Sequence, residues 1–170
     1  MCIRDRDPAD TLALVSFLRS SMVNVPDAAL IPLFAEGFPE LWLRLTDDDF
    51  VEIDQCIGRA DGLVRRNEEH VPGLEEVGAW SAQLRHVARA VAGLRRSFSV
   101  RDFELWLEDV RADLLPDVVG AVAYQGVYRV ANLERLFRTL AERMDRVEGD
   151  AQAVLRSLRQ SVRDLSLIHI

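Results

Sequence analysis

The chain has 170 residues and a formal net charge of −7, and all 21 of its basic residues are arginine. Without lysine it can build neither a phosphate-binding loop of the Gly-x-x-x-x-Gly-Lys-[Ser/Thr] kind nor a Schiff base. The acidic balance argues against a nucleic-acid binder that uses its whole surface and leaves room for a local basic face.

Read in chain order, the periodicity is helical throughout. Asp7-Pro8 places a cap residue before a proline at the first helical position, and Leu12, Val15 and Leu18 follow at helical spacing. The segment Ser-Ser-Met-Val-Asn-Val predicts a loop, after which Pro26-Asp27 opens a helix carrying Leu30, Leu33 and Phe34 before Gly37. Phe-Pro-Glu-Leu-Trp-Leu-Arg-Leu predicts a short apolar helix. Thr46 and Asp49 form a capping-box-like start for a stripe of Phe50, Ile53, Ile57, Ala60 and Val64. From Pro72 to about Arg96, Val77, Leu84 and Val91 alternate with Trp80, Val87 and Leu94 in two rows at seven-residue spacing. Ser99 and Asp102 start a helix with Phe103, Trp106, Leu107 and Val110. Leu115-Pro116-Asp117 breaks the chain before a short helix that ends near Gly126. Asn132 is expected to cap a helix holding Leu133, Leu136, Leu140 and Met144, and Asp150 to cap a last one with Val154, Leu155, Leu158 and Val162. No alternating strand pattern, hairpin signal, fixed-period repeat or low-complexity linker is present. The expectation is a single irregular all-α domain of about seven to eight helices.

Chemistry-bearing patterns are scarce. A di-iron bundle needs Glu-x-x-His pairs projecting inward, and neither His70 nor His86 has a glutamate three residues before it. His-Glu-x-x-His, Gly-x-Ser-x-Gly and Gly-x-Gly-x-x-Gly are absent. His70 reads as a solvated residue and His86 as a boundary one. Asp47-Asp48-Asp49 lies where a first helical turn favours acidic residues, so dipole complementarity explains it better than metal binding. Cys56 reads as a small hydrophobe with no basic group beside it to lower its pKa. Trp42, Trp80 and Trp106 sit within apolar patterns, so core or subdomain contacts are expected rather than base stacking. No catalytic, cofactor or metal residue is assigned. The longest apolar runs, such as Val118–Tyr124, fall far short of a membrane span. The absence of a disulfide framework or metal-type cysteine spacing suits a reducing compartment.

Arginine carries the one functional signal. Arg85, Arg89 and Arg96 share one helical face, and Arg156, Arg159 and Arg163 make a second stripe. Either face could contact phosphates through the bidentate guanidinium fork; solvated surface or salt-bridge partnership is the default use of such residues.

A longer pattern adds to this. Asp7, Pro8, Asp10, Leu12, Ala13, Leu14, Leu18, Arg19, Ser20, Asp27 and Leu30 form an Asp-Pro-x-Asp run, a helix ending Leu-Arg-Ser, a short turn and an aspartate that begins the next helix. Gly126, Arg129, Ala131, Asn132, Leu133 and Leu136 form a second, with glycine, Arg-x-Ala-Asn-Leu and a leucine-rich helix. Both resemble segments of the UvrD-like DNA helicase superfamily, in its RecB and AddA helicase–nuclease members. Ser21 stands where the family often has proline, Asn24 where it often has glycine, and Pro26 where it usually has a serine cap; Asn24 is the next best residue for a left-handed backbone. The resemblance implies the helical accessory subdomain, often called 2B, inserted in the second motor domain of a cytoplasmic bacterial helicase. It implies a parent protein that unwinds DNA with ATP and Mg, possesses a nuclease in some members, and works with DNA and in some systems a partner subunit. This region would contact duplex DNA or that subunit and restrain the motor without chemistry of its own. Arg19 is then expected as a helix-end hydrogen bonder and Asn132 as a cap. The competing expectation, from the residues alone, is a freestanding interaction domain whose helix at 72–96 binds a partner helix. A DNA-binding regulator is disfavoured by the charge and by the lack of a compact basic recognition helix.

The two ends stand apart. Met1–Arg6 and Leu165–Ile170 back-translate into reverse complements of one another and resemble the mosaic end that a transposase attaches to DNA libraries. Residues 1–6 and 165–170 are therefore expected to be adapter-derived, with 7–164 the helical subdomain, itself a piece of a longer gene.

Overall fold

In the computed structural model the described residues are 11–46, 50–66, 80–98, 100–114, 126–147 and 150–168, and the side chains of Arg159 and of residues from Ser161 onward fall outside the description. Every regular element among them is a helix, as the 3.6-residue periodicity requires: eight helices and no strand.

Helix α1 (Thr11–Leu18) ends in a tight turn built from its own backbone. Asn24 donates its N–H to the Ser20 carbonyl at 2.7 Å, and Val25 donates to that of Leu18 at 2.9 Å. To make this reversal Asn24 takes φ 55, the left-handed region that asparagine tolerates better than other non-glycine residues. The turn buries Val23 completely and Val25 almost so, which is why a polar-looking loop is held in one shape. Across it, Arg19 Nε meets Asp27 Oδ1 at 2.9 Å, joining the end of α1 to the first residue of α2 (Asp27–Ala35). Pro26 at the α2 N-cap offers no side-chain acceptor, and Asp27 supplies negative charge to the first turn instead. Helix α2 tolerates Pro32 in its interior and stops at Gly37, whose φ of 80 turns the chain directly into α3 (Phe38–Leu43).

The apolar faces of these short helices close on α4 (Phe50–Arg66), whose buried row is Ile53, Cys56, Ile57, Ala60 and Val64. Behind α4 lies α5 (Trp80–Ser97), burying Trp80, Leu84, Val87, Ala88, Ala92 and Leu94. Leu18, Leu33, Phe38, Leu45, Ile53, Ile57 and Leu84 form the solvent-free centre of this α1–α5 core. Each such side chain contributes about 1.5–3 kcal/mol of apolar transfer energy, so the core and not helix propensity holds these short helices.

Helix α6 (Phe103–Leu114) packs on α5, α7 (Gly126–Arg146) on α6 and α8 (Ala151–Ile168) on α7. Asp102 caps α6, accepting the N–H groups of Glu104 and Leu105 at 2.9 and 3.3 Å. Asp150 caps α8 in the same way, through Gln152 and Ala153 at 2.9 and 3.1 Å. Asp150 therefore meets the capping expectation, and Asp102, expected with Ser99 at the start of this helix, is its N-cap. The α5–α6 corner is an aromatic cluster of Phe98, Phe103 and Trp106, and Trp106 donates its indole N–H to the Leu94 carbonyl at 2.8 Å.

Asn132 corrects the expectation of a cap. Helix α7 starts at Gly126, so Asn132 is an exposed residue within it. The turn before it, Val127, Tyr128 and Arg129, contains only helix-compatible residues, and the hydrogen-bond ladder runs through it. Asp7, Pro8, Asp10, Asp49, Ser99, the Pro72 helix start and the short helix after Pro116 lie outside the described residues.

Candidate functional site

The arginine stripe of α5 forms on one face, yet two of its three members turn inward to α4. Arg85 Nε bonds Asp54 Oδ1 at 2.6 Å, and the Arg89 guanidinium lies 4.4 Å from the Phe50 ring centre. The third, Arg96, lines an open depression together with Leu43, Arg44, Leu45, Thr46, Ala92 and Arg95. On α8, Arg156 reaches the Asp150 carboxylate at 3.5 Å, the same group that caps the helix. The side chains of Arg159 and Arg163 lie outside the description. A phosphate approaching Arg85, Arg89 or Arg156 would thus have to displace or share an intramolecular partner.

The depression of about 630 Å³ beside Arg96 holds the residue that the helical pattern passed over. Arg95 continues the row Ala88, Ala92 along α5 and inserts its side chain at the C-terminal end of α3. Its Nη1 donates to the Trp42 carbonyl at 2.7 Å and reaches those of Leu43 and Leu45 at 3.4 Å. Trp42 and Leu43 lie in the last turn of α3, where carbonyls lose the usual helical partner; that of Trp42 also accepts the Leu45 N–H at 3.4 Å. The guanidinium also sits 5.8 Å from the Trp42 ring centre. Burial pushes the Arg95 pKa down from its ordinary value, as expected for a cation moved from water. The legible signal was an arginine prolonging a row of small apolar residues. What it meets, more than fifty residues earlier in the chain, is visible only in the fold.

Arg19 does stand at a helix end, and the group it bonds is the Asp27 carboxylate at 2.9 Å. The two residues singled out separately by the family pattern are thus one interaction. His86 is exposed on α5. Trp42 and Trp80 are buried in the core as expected, while Trp106 belongs to the half-buried aromatic corner.

Cys56 is fully buried and its Sγ lies 3.6 Å from the Glu36 carbonyl oxygen. Burial raises its thiol to about 11, against a lowering by the nearby Arg59 cation and a further raising by Glu36. The fold does therefore set a basic group near this cysteine, contrary to expectation, and desolvation outweighs it. Arg59 itself is bound to Glu36, and that hydrogen bond raises its pKa.

Among the described residues no group of three or more His, Cys, Asp or Glu side chains could hold a metal ion, and no helix is long and apolar enough to cross a membrane. The sequence has no lysine from which a phosphate-binding loop could be built. Comparison with known protein families, curated proteins and solved structures finds no match. The arrangement offers binding surfaces, with guanidinium groups as their most versatile donors.

Proposed function

We propose that this chain is the helical accessory subdomain of a UvrD-like DNA helicase of the RecB/AddA helicase–nuclease type. In that role it lies beside duplex DNA or a partner subunit and restrains motor movement. ATP hydrolysis with Mg, and nuclease action where present, belong to other parts of the parent protein. The observation that carries the reading is the α1–turn–α2 unit. Its residues bear the resemblance, Asn24 takes the left-handed conformation at φ 55 where the family often has glycine, and Arg19 clasps Asp27 at 2.9 Å. A pattern that closes into one local unit is better support than the same letters scattered over a surface.

The alternative, an interaction domain acting through residues 72–96, is less favoured. Over the described part of that helix, Trp80, Leu84, Val87 and Leu94 are buried in the chain's own core. Little apolar seam is left there for a partner helix to read.

Two measurements test the reading. Extending the reading frame should reveal a phosphate-binding loop upstream and motor motifs downstream; a natural start near Asp7 with a stop soon after Asp164 would sink it. In solution, the chain should bind duplex DNA weakly, with affinity falling steeply as salt rises, and ATP turnover by the chain itself would contradict it.

A further inference from the structure

We propose that the depression between the C-terminal end of α3 and the last turn of α5 is a phosphoryl-oxyanion site centred on Arg95. The inference does not depend on the helicase reading. It starts from how Arg95 is held. One of its three nitrogens, Nη1, serves the Trp42, Leu43 and Leu45 carbonyls, and the Trp42 ring supports the group at 5.8 Å. That fixes the plane of the guanidinium. Among the described residues, Nε and Nη2 have no acceptor, and Arg95 is exposed to solvent. The cation is thus anchored by one corner, with the Nε/Nη2 edge unused. That edge is the one that takes an oxyanion with two parallel hydrogen bonds.

The surroundings favour a tetrahedral oxyanion. Arg44 and Arg96 line the same depression and add positive charge to it, with Leu43, Leu45 and Ala92 as apolar wall. Arg44 also bonds Glu52 at 2.7 Å, but both side chains of that pair are more than half exposed. Such exposed pairs are weak and exchange readily with solvent. Arg96 has an interaction of its own and is counted only as a lining charge. Partial desolvation lowers the Arg95 pKa, the direction expected for a cation that has given up some of its hydration. The competing occupant is a carboxylate of Asp47-Asp48-Asp49, which follows Thr46 in the chain and lies outside the described residues.

The test is an NMR titration of the full chain, reading the Arg95 Nε–Hε resonance against inorganic phosphate, with chloride at matched ionic strength as control. The expected result is a saturable shift with phosphate and none with chloride; in Arg95→Lys, which keeps the charge and loses the fork, the affinity read from the backbone amides of Ala92 and Arg96 in the same depression is about tenfold weaker. A second arm uses a short DNA duplex. If it moves the same resonance and phosphate displaces it, the natural source is a nucleic-acid backbone. If phosphate binds and the duplex does not, the source is a free phosphate or a small phosphate ester. No saturation beyond the chloride control, or unchanged affinity in Arg95→Lys, overturns the proposal. So does a phosphate-free Arg95 resonance that moves when Asp47, Asp48 and Asp49 are all changed to Asn, because a carboxylate then fills the edge. Should Arg95→Lys fail to fold, Arg44→Gln decides: phosphate binding weakens about threefold, and no change refutes the site.

Discussion

Asn24 offers the sharpest test of the turn that joins α1 to α2. Its φ of 55 is the only positive value among the described non-glycine residues. A left-handed residue with a Cβ costs about 1–2 kcal/mol, and asparagine recovers part of this through local polar contacts. Replacing Asn24 by Ala should therefore lower stability by about 1 kcal/mol, and by Val more, since β-branching crowds the same backbone. Replacing it by Gly removes the Cβ cost but adds unfolded-state entropy, so the net change should be within about 0.5 kcal/mol of zero. The cost cannot be avoided by reshaping the turn. Val23 and Val25 on either side are buried, and the Asn24 N–H is committed to Ser20 at 2.7 Å. Urea unfolding followed by circular dichroism measures the series directly; at this chain length 1 kcal/mol corresponds to about 2–4 °C in Tm. Equal stability of the Ala and Gly variants would refute the reasoning, because it would mean that the residue is not held left-handed.

Two further outcomes follow from buried groups. Ser20 Oγ is shut off from solvent and has no hydrogen-bond partner among the described residues, so Ser20→Ala should raise stability by about 1 kcal/mol in the same unfolding assay; a loss would reveal a partner. Cys56 is held protonated by burial, with its thiol raised to about 11 from an ordinary 9.0. The raised folded value means that the unfolded chain gives up this proton first. The contribution to stability is thus complete below about pH 9 and disappears as pH rises through about 11. Unfolding curves between those limits should lose stability faster than those of Cys56→Ala, and native-state alkylation at neutral pH should be slow; rapid labelling without unfolding would contradict the burial argument.

The sequence made the helices legible because their apolar rows obey the helical period, and the rows of α4 and α5 are the buried ones. It made Asp150 legible as a cap, and Asp102 as part of a helix start, because a cap needs only neighbours two and three residues away. Asn132 misled for the same reason: a cap-type residue before a leucine-rich run looks like a beginning, and nothing local says that Gly126–Ala131 is also helical. The arginines were the least legible group. Helical spacing correctly put Arg85, Arg89 and Arg96 on one face, but spacing cannot say what stands opposite that face.

What stands opposite is α4, and this matters for any binding role. Asp54 and Phe50 take up Arg85 and Arg89, so part of the α5 arginine stripe helps to lock α4 against α5. Arg95 lies off the stripe and keeps one edge of its guanidinium unused while its plane is fixed. A free but floppy surface arginine spends rotamer entropy on each ligand it meets, about 2 kcal/mol for the whole side chain. An arginine already anchored by carbonyls and an indole ring has spent most of that on folding. If this chain recognises an anion, physical economy favours the anchored residue over the periodic stripe. A mutational scan should then find its largest binding loss at Arg95, with smaller losses at Arg85 and Arg89 accompanied by reduced stability. The reverse order would return the interface to the helical face that the sequence first suggested.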